Sequence, residues 1–253
     1  IRKLWEKWPP SQVNVTLYGV CEDDYAALCG NPKAFTAVTN SLNWLKEQNI
    51  LVHLNTTMAP QNKDKWEDIE RFAIERGLEL RLTSYCFPPL RRSECGRCED
   101  FSRLTPEEAA ELSVKDILFR EGADAILRRA SQLNVRQDSD CALDVGEPMQ
   151  CVAGKSQFWV AWNGSMSPCG MLDQPSQQLL SDSLSFQAHW DQLREKTDQI
   201  RLCTDCANCE QQSTCLNCAA VTYTETGKFD GKPEYMCRYA GETLRLLREE
   251  VYG

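Results

Sequence analysis

Four cysteines fall within thirteen residues in the run Cys206-Ala-Asn-Cys209-Glu-Gln-Gln-Ser-Thr-Cys215-Leu-Asn-Cys218. Cys203 precedes the run, Cys237 follows it, and further back Cys151 and Cys169 bracket Phe158-Trp159-Val160-Ala161-Trp162-Asn163-Gly164. A buried cysteine packs only as a small hydrophobe, so packing does not call for such crowding. The spacing asks for something that several sulfurs hold at once, and three chemistries do that: disulfides, zinc or an iron–sulfur cluster. Disulfide frameworks suit short secreted chains. Here no apolar signal segment lies at Ile1 to Pro10, and the 14 cysteines in 253 residues crowd into one half. Two Cys-x-x-Cys pairs only five residues apart are tight for a zinc ribbon. Short-gapped cysteine runs completed by a remote cysteine are how chains wrap iron–sulfur clusters. The residues therefore favour iron–sulfur, with zinc second and disulfides third.

Composition narrows the partners. A formal charge of −9 and a pI near 4.9 argue against a nucleic-acid backbone, which needs a basic face. No run of eighteen apolar residues exists, so no membrane-spanning segment is expected. Many thiols without a signal segment point to the reducing cytoplasm. His53 and His189 are the two histidines, too few for a His-rich catalytic metal site or a serine-hydrolase triad.

The first half alternates strand and helix. Val13, Val15 and Leu17 share one strand face against Asn14, Thr16 and Tyr18, and Gly19 ends the strand. After a loop carrying Cys21, Cys29 and Gly30, Asn31-Pro32 reads as an N-cap and first helical residue, followed by Phe35, Val38, Leu42 and Leu45 at helical spacing. A second strand runs from Ile50 to Asn55. Asn62 is expected to cap the next helix, whose Trp66, Ile69 and Ala73 form a stripe and which Gly77 closes. A third strand spans Leu78 to Tyr85. Such alternation predicts βαβ units and a parallel sheet. Its polar half (Thr16, Tyr18, His53, Asn55, Arg81, Thr83, Tyr85) predicts a wet lumen for a polar ligand; the alternative is a sheet with one face open to solvent. Ligand groups are expected at the C-terminal strand ends.

Phe87-Pro88-Pro89-Leu90-Arg91-Arg92 reads as an ordered crossing, and Cys95 with Cys98 as an isolated pair of weak significance. Thr105-Pro106-Glu107-Glu108 is a capping box opening a helix toward Leu133. In the second half, Phe158–Trp162 and Ser165–Cys169 flank Asn163-Gly164 as a two-residue hairpin, which sets Cys169 across from Phe158. Cys151 must then curl back, with Gly154 permitting the bend. A short helix with Trp190 and Leu193 on its buried side is expected over Phe186–Thr197, a turn at Glu225-Thr226-Gly227, and a closing helix through Leu244, Leu247 and Val251.

Cys151-(12)-Gly164-(4)-Cys169, then Cys206-(2)-Cys209-(5)-Cys215-(2)-Cys218, then Cys237, resembles the SPASM domain of radical S-adenosylmethionine peptide maturases. The family's last short gap holds three residues where this chain has two. Val15-Thr16-Leu17-Tyr18-Gly19, Cys29-Gly30-Asn31-Pro32 and Phe87 to Arg92 are similar to the later part of the radical-SAM barrel. The resemblance implies an α/β chain: residues 1–133 as the later half of a partial (β/α) barrel with its connecting helix, and 134–253 as an irregular, cysteine-rich α+β SPASM domain. It further implies two auxiliary 4Fe-4S (four-iron four-sulfur) clusters. Cys151, Cys169 and Cys218, with Cys141 as the upstream fourth ligand, would hold the first; Cys206, Cys209, Cys215 and Cys237 would hold the second. Cys203 is spare in that scheme, or replaces Cys206. Thr16 would lie on the strand that approaches the S-adenosylmethionine ribose, with His53–Thr57, including Asn55, and Thr83–Tyr85 lining the lumen.

The family's Cys-x-x-x-Cys-x-x-Cys loop, which binds the catalytic cluster, does not occur in these residues. The chain therefore reads as part of a longer enzyme and as inactive alone. Complete, that enzyme would bind S-adenosylmethionine and a third 4Fe-4S cluster, draw electrons from a flavodoxin or ferredoxin, and modify a peptide or protein side chain through a 5′-deoxyadenosyl radical. The other readings are a degenerate, non-catalytic iron–sulfur module that grips a peptide or redox partner, and a structural zinc protein.

Overall fold

The computed structural model describes residues 1–88, 102–128, 151–181, 183–206, 209–211 and 214–252. The chain forms two compact units: Ile1–Cys86 with Ser102–Glu121, and Phe87–Phe101 with Gly122–Gly253.

The first unit is built on three strands, β1 (Gln12–Thr16), β2 (Leu51–Thr57) and β3 (Glu79–Thr83), parallel and in that order. Period-two burial shows why they form a sheet. In β2, Val52, Leu54 and Thr56 are buried while His53 and Asn55 are half-exposed between them. Helices α1 (Arg2–Lys7), α2 (Glu22–Cys29), α3 (Lys33–Glu47), α4 (Trp66–Arg76) and α5 (Pro106–Glu121) complete the unit. Rings run in series from Tyr18 through Tyr25 and Phe35 to Phe72, with centroids 5.6, 5.7 and 6.2 Å apart, tying α2, α3 and α4 together. Leu17, Tyr25, Leu54, Met58, Ile69 and Leu104 are almost wholly buried. Each such apolar side chain contributes about 1.5–3 kcal/mol.

Several local expectations are corrected. The loop carrying Cys21 and Cys29 is the helix α2, because Asp24 Oδ2 accepts the N–H groups of Val20 and Cys21 at 2.7 and 3.2 Å and starts it. α3 begins at Lys33 without a side-chain cap, although Pro32 already has helical angles (φ −58°, ψ −38°) and the Asn31 carbonyl accepts Ala34 N at 3.1 Å. Asn62 does not cap α4 either, since its side chain is used elsewhere and a short 3-10 turn, Lys63–Lys65, intervenes. The capping box at Thr105 is present in both directions: Thr105 N donates to Glu108 Oε2 at 2.9 Å and Glu108 N to Thr105 Oγ1 at 3.2 Å. Its helix does not run on to Leu133, however. It ends at Glu121, where Gly122 takes a left-handed φ of 77°.

In the second unit, β4 (Trp159–Val160), β5 (Ser165–Ser167) and β6 (Gln177–Gln178) make an antiparallel sheet. Trp159 pairs with Ser167 and Val160 with Met166, and Ala161 N bonds Ser165 O. The turn is thus a three-residue loop, Trp162-Asn163-Gly164, with Gly164 at φ 81°. The expected two-residue register is off by one, so Cys169 does not face Phe158. Helices α6 (Phe186–Asp198), α7 (Ala219–Thr226) and α8 (Glu234–Tyr252) follow. α7 replaces the turn expected at Glu225, which is the helix end closed by Gly227. His189, Leu193 and Thr197 form the buried face of α6, and Trp190 is only half-buried. Among the described residues, no helix is long and apolar enough to cross a membrane.

Candidate metal centre

Backbone devices position the sulfurs of the second unit. Gly154 bends the chain after Cys151 at φ 70°; its N–H bonds Gln157 O, and a Cβ there would stand 2.6 Å from Thr197. Cys169 packs against a small cluster of Ala153, Ile200 and Ala219. Cys218 is the N-cap of α7, its sulfur accepting Val221 N at 3.5 Å. Cys206 N bonds Cys203 O at 3.2 Å around the 3-10 turn Thr204–Cys206, and Cys209 N bonds Cys206 O at 3.4 Å. Cys237 sits in the first turn of α8.

The electrostatics sort these thiols into two sets. Crowding by surrounding protein raises the Cys218 thiol although the residue keeps an exposed edge, and Cys169 and Cys151 raise it further. The N–H groups of Val221 and Ala220 act in the opposite direction. Burial pushes Cys206 up to about 12, reinforced by Cys203, Cys215 and Cys237. Burial also raises Cys215, with Cys237 and Cys209 adding to it, and Cys237, with Cys209 and Cys203 adding to it. So Cys151 and Cys169 both lie within electrostatic reach of Cys218, and Cys203, Cys206, Cys209, Cys215 and Cys237 are linked in a second neighbourhood. Cys141, Cys95 and Cys98 lie outside the described residues.

All eleven described cysteines are free thiols, and no group of three or more His, Cys, Asp or Glu among the described residues stands in the geometry of a preformed metal-ion site. The donor set nevertheless fits a thiolate-bound cluster. Its members are sulfurs, neighbouring sulfurs add to the rise at Cys206, Cys215, Cys218 and Cys237, and Lys232 acts against the rise at Cys237. A metal would discharge them. Backbone N–H groups already aim at three of the sulfurs: Met171 N at Cys169 (3.4 Å), Val221 N at Cys218, and Asn217 N at Cys215. Such bonds tune iron–sulfur ligands. A cleft of about 1100 Å³ opens beside Cys206, Cys209 and Cys237, walled by Lys232, Arg238 and Arg245.

In the first unit, Thr16 and Asn55 are direct cross-strand partners, and Thr83 pairs with Thr57, two residues beyond Asn55. Thr16, Asn55 and Thr83 therefore share one sheet face, Thr16 exposed and the other two half-buried. Leu54 and Thr56 belong to the opposite, buried face. The sequence missed Asn62 as the tie between strand ends. Its Oδ1 accepts Ala59 N at 2.7 Å while its Nδ2 donates to Tyr18 O and Thr57 O, each at 3.4 Å. Asparagine capping and asparagine bridging look alike in sequence. Glu70 was also missed: at 2% exposure it lies beside Asp116, with Arg120 at 3.9 Å. Burial, then a hydrogen bond with Asp116, raises its carboxyl to about 7. Its only signal was an acid inside the apolar stripe of α4.

Set beside solved structures, the chain matches the anaerobic sulfatase-maturating enzyme anSMEcpe. The native enzyme with bound AdoMet superposes with a TM-score of 0.65 at 14% identity, over 100% of this chain and 72% of that one. The form carrying AdoMet and the Cp18Cys peptide gives 0.66 at 14%, over 99% and 72%. The fold is shared. No protein-family model matches the sequence, and neither does any curated protein.

Proposed function

We propose that this chain is the later part of a radical S-adenosylmethionine enzyme of SPASM type, which modifies a peptide or protein side chain. The observation that carries the reading is the sorting of cysteines into two neighbourhoods, on a fold shared with anSMEcpe. In this reading Cys151, Cys169 and Cys218, with Cys141, hold one auxiliary 4Fe-4S cluster. Cys206, Cys209, Cys215 and Cys237 hold the other. When bound, S-adenosylmethionine with its own cluster supplies one-electron hydrogen abstraction, and the auxiliary clusters supply electron transfer or substrate ligation.

The chain's own residues bind and orient. Thr16, Asn55 and Thr83 offer hydroxyl and amide groups along one sheet face to a polar ligand such as the nucleoside of S-adenosylmethionine. Asn62 fixes the ends of β1 and β2, so that the groups on those strands keep their spacing. A Cβ at Gly19 would stand 2.2 Å from that of Asp24, so glycine lets the loop after β1 close onto α2. A peptide substrate is proposed because anSMEcpe was solved with peptides; a flavodoxin or ferredoxin is the proposed reductant, and the cytoplasm the proposed location.

Anaerobic reconstitution followed by iron and acid-labile sulfide analysis tests this. About eight of each per chain are expected for two cubanes. Zinc without sulfide would overturn the reading and leave a structural zinc protein.

A further inference from the structure

The second cysteine neighbourhood holds more sulfur than one cubane requires. Cubane clusters take four thiolates, while Cys203, Cys206, Cys209, Cys215 and Cys237 make five. Cys203 is not a bystander. In 3-10 geometry residues i and i+3 eclipse, and the bond from Cys206 N to Cys203 O puts those two cysteines on one edge of the short turn Thr204–Cys206, with Cys209 N bonded to Cys206 O. The Cys203 and Cys206 side chains are hydrogen-bonded to each other. Cys203 also acts electrostatically on Cys237, at the start of α8, so it meets the group from two sides. Cys215 lies within electrostatic reach of Cys206, as it does of Cys209 and Cys237. Cys203 and Cys206 each interact with Cys237, which places both at the N-terminal corner of the group.

Resting on the iron–sulfur reading above, we infer that Cys203 and Cys206 are interchangeable ligands to one iron of the second cluster, the unbound thiol donating an S–H hydrogen bond to the bound one. Cys209, Cys215 and Cys237 have no such understudy. The second site therefore survives the loss of either Cys203 or Cys206, and fails when both go.

The test compares the full chain with Cys203→Ala, Cys206→Ala, the double variant, and Cys209→Ala, each reconstituted anaerobically. Alanine is used because a serine oxygen could itself bind iron. Each of the first two single variants should keep the iron and sulfide content of the unmodified chain. Each should show an altered electron paramagnetic resonance signal on reduction and release iron to a chelator about 10-fold faster, as when a ligand loses its hydrogen-bonding partner. The double variant and Cys209→Ala should each lose half of the iron and sulfide. Those single-variant readouts stand even if the double variant does not fold. Half-loss in Cys206→Ala with an unchanged Cys203→Ala, or the converse, would overturn the inference and leave the cluster reading intact. An unmodified chain without sulfide would overturn both.

Discussion

The two units are held together by different forces. In the first, large apolar side chains such as Leu17, Leu54, Ile69 and the ring series from Tyr18 to Phe72 lie between sheet and helices. Around the sulfurs of the second, the buried cluster is Ala153, Ile200 and Ala219, with Cys169, Leu202 and Phe229 against it. Ala153 and Ala219 remove little area from water, while Ile200, Val221, Met236 and Tyr239 are buried as well, so what distinguishes this region is its sulfurs. Burial holds the thiols of Cys206, Cys215, Cys218 and Cys237 above their ordinary range, and a bound cation would favour their thiolates. A sheet packed on helices can stand on burial alone; in the iron–sulfur reading proposed above, the binding energy of the clusters is folding energy for the cysteine region.

The largest effect that could break this contrast is metal removal. Anaerobic chelation of the reconstituted chain should expose the amides of Gly154, Cys206 and Ala219 to hydrogen exchange while those of β2 stay protected. Equal protection throughout would show the sulfur region to be self-sufficient. Next in size, Leu54→Ala should destabilise the first unit by about 3 kcal/mol in denaturant melts, with iron content unchanged.

Glu70→Gln should act in the opposite direction. A carboxyl raised to about 7 in the fold holds its proton longer than it does unfolded. Its stabilising contribution is therefore complete below the ordinary glutamate range and is lost as pH climbs toward 7. The amide should thus stabilise the first unit by roughly 2 kcal/mol at pH 8 and flatten its stability between pH 5 and pH 7. A variant that melts like the parent at both pH values would remove the buried acid from the account. Smallest, Thr105→Ala should cost about 1 kcal/mol by removing one half of the capping box, again read in the first unit.

Sequence and structure agree best where periodicity carries the fold. The parallel order of β1, β2 and β3, the stripes of α3 and α4 and the capping box at Thr105 were legible because burial imposes the period that the residues display. Side chains with two uses were less legible. Asn31 and Asn62 both looked like side-chain caps: ahead of a helical Pro32, Asn31 opens the turn with its carbonyl, and Asn62 spends its amide across two strand ends. Asn163-Gly164 announced a turn but not its length, and one extra loop residue moved the register of Cys169. α2 was missed because its apolar stripe is short and its start depends on a carboxylate, Asp24. The grouping of Cys203 with Cys206 was visible in the three-residue spacing, yet only the 3-10 turn turns that spacing into adjacency.

Cys218 carries one further consequence, since its sulfur also opens α7 by accepting Val221 N. A hydroxyl can take over that acceptor duty, whereas a methyl group cannot. Serine at this position would leave the helix its beginning and offer a cluster oxygen in place of sulfur, while alanine would remove donor and cap together, so the pair of substitutions separates the helix start from the sulfur at a single atom.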